Sequence, residues 1–332
     1  MLKKTLVSGM RPTGKLHIGH YMGVLRNWVV LQNSNNYNCF FFIADWHSLT
    51  TKYSETANLK SNIIEITKDF LASGLNPEKS SIYLQSAIPE IAEIFLLLGM
   101  LTPNNWAERD PTLKDLVKGA KNSGINELTY GMLGYPILQT ADILTFKGEV
   151  VPVGKDQEAH LEMSREIARR FNFIFNTNFF PEPKPLFTDT ASLKGVDNNK
   201  MSKSFNNDIK ISATEEETIN QTKKMITDPL RMKRSDAGST KRCQVAFPYY
   251  EIFANTEIIN KVKQECETAQ RGCVDCKIEL GKIINAYFKE IREKRNDFTD
   301  KEVLEILEEG NMKAQIQAKE CLFKVKEIMK LN

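Results

Sequence analysis

Between Lys4 and Phe173 the chain alternates short apolar, β-rich runs with longer runs of helical periodicity, a pattern that folds as a parallel sheet covered by helices on both faces. Lys4–Met10 reads as a strand, and a helix follows from about Ile18 to Gln32. Cys39–Asp45 is almost continuously apolar, as a strand buried on both faces must be. Glu55–Gly74 has helical periodicity and stops at a glycine, a common helix terminus. Ser81–Gln85 is a short strand with helical segments after it. Pro136 starts a helix through Phe146, Val150–Val153 is a strand, and Asp156–Phe173 is a helix. Pro181-Glu182-Pro183-Lys184-Pro185 reads as a stiff connector, and the polar stretch Asp197–Asn207 as a surface loop. From about Glu215 onward the pattern is helical with almost no strand signal. The expectation is an α/β chain: a parallel-sheet domain over 1–195, then a helical region over 196–332. A chain of 332 residues has room for both, since single cores seldom grow past about 250–300 residues.

Composition narrows the class of function. The hydrophobic fraction of 41% and charged fraction of 26% belong to an ordinary globular protein. No apolar run approaches the ~18–20 residues that cross a bilayer. The apolar stretch at Met1–Val7 is too short for a signal peptide, so a cytoplasmic protein with no membrane partner is expected. A net charge of +3 decides nothing, but its distribution is informative. Between Lys223 and Arg242 stand seven basic residues against Asp228 and Asp236, either a solvated surface or a strip that contacts phosphates. Cys39 and Cys321 stand alone and read as small buried hydrophobes. The other four cysteines fall within 34 residues, which in a cytosolic chain points to metal or redox chemistry.

Two motifs carry most of the chemistry. Gly9-Met10-Arg11-Pro12-Thr13-Gly14-Lys15-Leu16-His17-Ile18-Gly19-His20 directly follows the first strand and opens the next helix. Gly9 and Gly14 suit tight turns, and Gly19 leaves room for a nucleotide. A helix N-terminus offers free N–H groups and partial positive charge to phosphate, and His17 and His20 add side chains on the same face. Alone, this is a strand, a loop and a helix with two surface histidines. Lys200-Met201-Ser202-Lys203-Ser204, in the polar loop, can follow the charge that builds on a departing pyrophosphate. Alone, it is a charged loop. The pair is far more specific than either member.

With both in view, the chain resembles the class I aminoacyl-tRNA synthetases, whose two signatures are His17-Ile18-Gly19-His20 and Lys200–Ser204. Within that class it is similar to the tryptophanyl-tRNA synthetase family. The likeness rests on Ser8–Gly14, Ala44-Asp45-Trp46-His47, Tyr135–Leu144, Val150–Gln157 with His160, and the lysine-serine loop, and it covers essentially the whole chain. Lys155 stands where many members carry Glu. The resemblance implies a Rossmann-like catalytic domain followed by a helical anticodon-binding domain. It implies a homodimer that uses ATP with Mg²⁺, L-tryptophan and tRNA(Trp). It places ATP against Arg11, Pro12, Thr13, Gly19, His20, Gly154, Lys155, Asp156, Lys200, Met201, Ser202, Lys203 and Ser204. His17, His20, Lys200 and Lys203 are the expected catalytic residues, and Gln157 helps hold the amino acid. For Asp156, helix capping is an equally good account.

The amino-acid pocket can be argued from residues. Tyr135, Gln139 and Asp142 stand at i, i+4 and i+7, on one face of an otherwise apolar helix. A carboxylate there is costly unless paired. Asp142 either makes a structural hydrogen bond to a neighbouring helix or accepts the indole N–H, the one hydrogen-bonding group of that side chain. The resemblance assigns it the second role. A tyrosine hydroxyl could also donate to it, so a tyrosyl-tRNA synthetase is the nearer rival. A small-molecule adenylyltransferase is the distant one, and an RNA-binding iron–sulfur protein a third class.

Cys243, Cys266, Cys273 and Cys276 combine one Cys-x-x-Cys pair with two single cysteines. Tetrahedral zinc commonly uses two paired knuckles, whereas iron–sulfur clusters accept irregular spacing of four thiolates. The resemblance, to a bacterial subset with this spacing, favours a [4Fe-4S] cluster. Zinc is the lesser alternative and unligated thiols the third.

Overall fold

Five strands form one all-parallel sheet in the computed structural model, which describes residues 3–111, 113–121, 124–154, 158–187 and 193–331. They are β1 (Lys4–Met10), β2 (Tyr37–Ile43), β3 (Ser80–Leu84), β4 (Val150–Val153) and β5 (Lys184–Phe187), in the spatial order β3-β2-β1-β4-β5. β1 lies along the full length of β2, from Lys4 opposite Tyr37 to Met10 opposite Ile43. The strand order reverses between β1 and β4. In open parallel sheets ligands bind beyond the carboxyl ends of the strands at such a reversal. Arg11 and Gly154, which follow β1 and β4, stand at that reversal.

The core follows from apolar runs with no exposed face. Phe40–Ile43 are all buried, and Phe40 and Phe42 meet Tyr83 of β3 at ring-centroid distances of 6.5 and 5.7 Å. Gly9 sits inside β1 rather than in a turn. A Cβ there would lie 2.4 Å from the Phe42 ring, so close approach is what requires glycine, while Gly14 does adopt a positive φ of 96°.

Two elements differ from the sequence pattern. The connector Pro181–Pro185 runs into an edge strand, β5, with Val151 opposite Pro185 and Val153 opposite Phe187. Proline is tolerated at a sheet edge, where its missing N–H need not join a ladder, and its presence hid the strand. The helix expected over Ile18–Gln32 is three pieces: α-helical Ile18–His20, a π segment Tyr21–Leu25, and α-helical Arg26–Asn33. The wider π turn keeps the helix running and sets the Tyr21 ring 5.1 Å from Phe288, edge to face.

Among the described residues, 3–14, 27–187 and 298–331 pack as one compact unit, and 15–26 with 193–297 as another. The last helix, Asp300–Met329, thus packs with the sheet. Its Ala314, Ala318, Cys321, Leu322 and Val325 enter the sheet's core, and Asn311 Oδ1 accepts the N–H of Leu84 at 2.9 Å. Cys39 and Cys321 are buried, as their solitary positions predict. No helix among the described residues is long and apolar enough to cross a membrane.

Candidate active site

In the sheet unit the polar centre is Asp142, on the helix Tyr135–Thr145 that packs beside β1. It is fully buried and accepts three hydrogen bonds. His47 Nε2 meets Oδ2 at 2.8 Å, and Gln85 Nε2 donates to Oδ1 at 2.8 Å and Oδ2 at 3.0 Å. Burial pushes its carboxyl above the usual range, while His47 and Gln85 oppose that shift. A carboxylate offers about four lone-pair directions, and donors among the described residues take three of them. The Tyr135 ring lies edge-on to His47 at 4.4 Å, and burial raises its hydroxyl pKa. Gln139, one turn before Asp142, is half-buried.

The residues expected at the nucleotide in this unit follow the sheet. Arg11 leaves β1 with its guanidinium 3.4 Å from the Thr51 hydroxyl, Pro12 is buried beside it, and the N–H of Thr13 closes a turn to the Arg11 carbonyl at 2.8 Å. Gly154 follows β4. Lys155, Asp156 and Gln157 lie outside the described residues.

In the second unit the two signatures come together. The N–H of Ile18 donates to the Ile209 carbonyl at 2.8 Å, and the N–H of Ile211 to Leu16 at 2.9 Å, so the first signature is laced to the chain just after the second. His17 and His20 are stacked at 3.5 Å and cap each other's backbone N–H groups. His17 is buried, not a surface histidine. Gly19 meets both: a Cβ there would lie 3.0 Å from the His17 ring and 3.3 Å from Met201 Sδ. Met201 and Asn207 are buried inside what reads as a surface loop, as is Val196 just before it. Lys200 is exposed and Ser202 and Lys203 half-buried; Ser204 lies in the short 3₁₀ turn Lys203–Phe205.

Burial, with the Lys203 charge adding to it, lowers the His17 pKa from 6.5 to about 4. His17 is therefore neutral at physiological pH, as an acceptor at a helix start must be. The sign of the stability effect follows. Between pH ~6.5 and ~4 the unfolded chain takes up a proton at His17 and the folded chain does not, so stability falls as pH falls through that window. At pH 5 the loss is on the order of 2 kcal/mol. His17→Asn, which keeps a capping acceptor without the titration, should flatten the fall in Tm between pH 7 and pH 5. Parallel Tm profiles in the two proteins would refute this account.

Two organising residues escaped the sequence reading. Gln85 is one, and Asn207 is the other. Asn207 Oδ1 accepts the Ser202 N–H at 2.8 Å, its Nδ2 donates to Asp197 at 2.8 Å and the Lys200 carbonyl at 3.1 Å, and it thereby closes the lysine-serine loop. The Asn-Asn-Asp run that ends the loop was the available signal, since such side chains bond to nearby backbone.

The four clustered cysteines are half-buried and free. Cys266 and Cys273 Sγ both lie against Arg231 Nη1, at 3.9 and 3.8 Å, and Tyr250 approaches Cys276 at 3.7 Å. Burial raises the Cys243 and Cys266 thiols and brings Cys276 to about 11. Among the described residues no three His, Cys, Asp or Glu side chains stand close enough to share one metal ion. Of the basic run, Arg242 turns to the buried Asp228 at 2.9 and 2.8 Å, while Lys223, Lys224, Lys233, Arg234 and Lys241 are exposed.

Residues 3–289 match the family of class I tRNA synthetases for tryptophan and tyrosine (W and Y). The tryptophan–tRNA ligase of Thermotoga maritima is 43% identical over 98% of this chain and 99% of its own length. That of Aquifex aeolicus is 39% identical, over 98% and 99%. A crystal structure of the tryptophanyl-tRNA synthetase from Campylobacter jejuni, complexed with ADP and tryptophan, aligns with a TM-score of 0.88 at 32% identity, covering 98% of this chain and 99% of that one. With both signatures complete and the sheet order of a nucleotide-binding fold, the chain belongs to the tryptophanyl-tRNA synthetase family of class I synthetases.

Proposed function

We infer that this tryptophan–tRNA ligase holds its amino acid with Tyr135, Gln139, Asp142 and Gln157, and handles the triphosphate with its two signatures. An oxygen of the tryptophan carboxylate bonds to the α-phosphorus of ATP as the bond to pyrophosphate breaks. The attacking group is already ionised, so no general base is needed, and rate comes from positioning and from stabilising phosphate charge. His17, His20, Lys200 and Lys203 supply that stabilisation. Arg11, Pro12, Thr13, Gly19, Gly154, Lys155, Asp156, Met201, Ser202 and Ser204 hold the nucleotide. Mg²⁺ would be held by the phosphates. In the second step the 3′-terminal ribose hydroxyl of tRNA(Trp) attacks the adenylate carbonyl and AMP leaves. The enzyme works in the cytoplasm as a homodimer, with the Rossmann-like catalytic domain over 1–195 and the lysine-serine loop and anticodon-binding region over 196–332.

The observation that carries the choice of amino acid is Asp142, a buried acceptor. It fits the indole N–H, and an analogue that leaves it unpaired is penalised strongly enough to dispense with editing. ATP–pyrophosphate exchange with each of the twenty amino acids tests this: tryptophan alone should support exchange. Faster exchange with tyrosine would overturn the assignment.

Cys243, Cys266, Cys273 and Cys276 are proposed to hold a [4Fe-4S] cluster. Each thiolate of such a cluster binds its own iron, so the thiols need to surround a volume rather than meet at a point. Four sulfurs without histidine suit a soft centre, and the Arg231 guanidinium between two of them offsets thiolate charge. Bound there, the cluster would supply a rigid anchor beside the exposed basic residues. Protein purified without oxygen is expected to be brown, with about four irons per chain. Cys273→Ser should abolish the iron and impair tRNA charging more than amino-acid activation. Stoichiometric zinc and no iron in the anaerobic protein would refute the cluster and retain a metal site.

A further inference from the structure

An acceptor is only as selective as the groups that fix its charge. Asp142 is wholly buried, where a carboxylate tends to protonate unless donors hold it ionised. Once protonated it would present an O–H and accept poorly, and a ring N–H would lose its advantage. Gln85, also wholly buried, spans both oxygens of Asp142.

The orientation of that amide is fixed by its other end. Gln85 Oε1 accepts the backbone N–H of Trp46 at 3.1 Å and of His47 at 3.4 Å. Those groups can only donate, so the NH₂ end must face Asp142. They belong to the first turn of the helix Asp45–Lys52, which Ala44 cannot cap. Gln85 therefore acts as a remote cap, and the partial positive charge of that helix start polarises the amide as a donor. The same helix carries His47, the other donor to Asp142. Next to Gln85, the N–H of Leu84 is held by Asn311 Oδ1, so the backbone that presents the amide is also secured.

The structure assigns Gln85 as a specificity-determining positioning residue: by clamping both oxygens of Asp142 it keeps that side chain purely an acceptor, so that the pocket separates a ring bearing an N–H from the same ring without one. This rests on Asp142 being the indole acceptor. A residue needed only for folding would weaken binding of both rings alike.

The test compares pyrophosphate exchange with tryptophan and with 3-(1-benzothiophen-3-yl)alanine, in which sulfur replaces the ring N–H. The unmutated enzyme should favour tryptophan by at least about tenfold in kcat/KM. In Gln85→Met that preference should shrink by at least about tenfold, through the KM for tryptophan, with the KM for ATP nearly unchanged. Gln85→Asn, one methylene too short to span both oxygens yet still an amide in a buried place, should show the same loss and serves if the Met variant does not fold. Variants that lose both substrates in equal proportion overturn the role of Gln85. An unmutated enzyme that uses both substrates equally well overturns instead the reading of Asp142.

Discussion

Lys203→Ala lowers kcat for adenylate formation by at least about a hundredfold, the cost of removing one oriented donor from developing charge. Lys203 begins the short turn that follows Ser202, and its charge already reaches His17 across the two signatures. Charge grows on the pyrophosphate only as the bond to the α-phosphorus stretches, so this lysine acts mainly in the transition state. The loss should therefore fall on kcat, and tryptophan affinity measured without ATP should scarcely change. Single-turnover adenylate formation and equilibrium tryptophan binding check the two halves separately. Normal turnover with poor tryptophan binding would mean the loop serves the amino acid instead.

Gly310→Ala should destabilise the folded chain by about 3 kcal/mol or more, a large effect for adding one methyl group. A Cβ at Gly310 would lie 1.8 Å from the Ile82 carbonyl oxygen and 2.8 Å from its carbon. These are backbone atoms of β3, so no rotamer change relieves the clash. The helix Asp300–Met329 would have to move off the strand, loosening the Asn311 bond to Leu84 and the alanines packed beneath. Chemical denaturation of the two proteins gives the difference. Ala314→Gly is a useful control, since it costs helix propensity and one buried methyl group without a clash. A Gly310→Ala protein as stable as its parent would show that the helix is not seated as described.

The parts of the fold that were legible were those with a strong local signal. β1 and β4 were readable to their ends because apolar β-rich runs have few other uses. β5 was obscured by its prolines, which mark an edge only when the neighbouring strand is known. The π segment leaves nearly the same apolar spacing as an α-helix, so nothing in the pattern marks it. In the site, motif residues could be named because their spacing is rare. Gln85 could not: its importance lies in contacts 39 and 57 positions away, and a lone glutamine after an apolar run carries no periodic signature. The burial of Met201 was equally hidden, since a methionine in a polar loop shows its neighbour only once Gly19 is in place.

The seating of the last helix on β3 sets the order in which the chain can mature. As the chain is synthesised, β3 emerges early and stays without Asn311 at Leu84, and without Gly310 against Ile82, until more than two hundred further residues have been made. Everything between, the lysine-serine loop and the clustered cysteines included, is made before the sheet is sealed. Loop closure over such a span is slow to begin and rewarded only at the end. The ribosome would thus release a chain whose helical residues can already pack while its sheet still lacks a flank, and a chaperone that shields the β3 edge would have its longest window of use there.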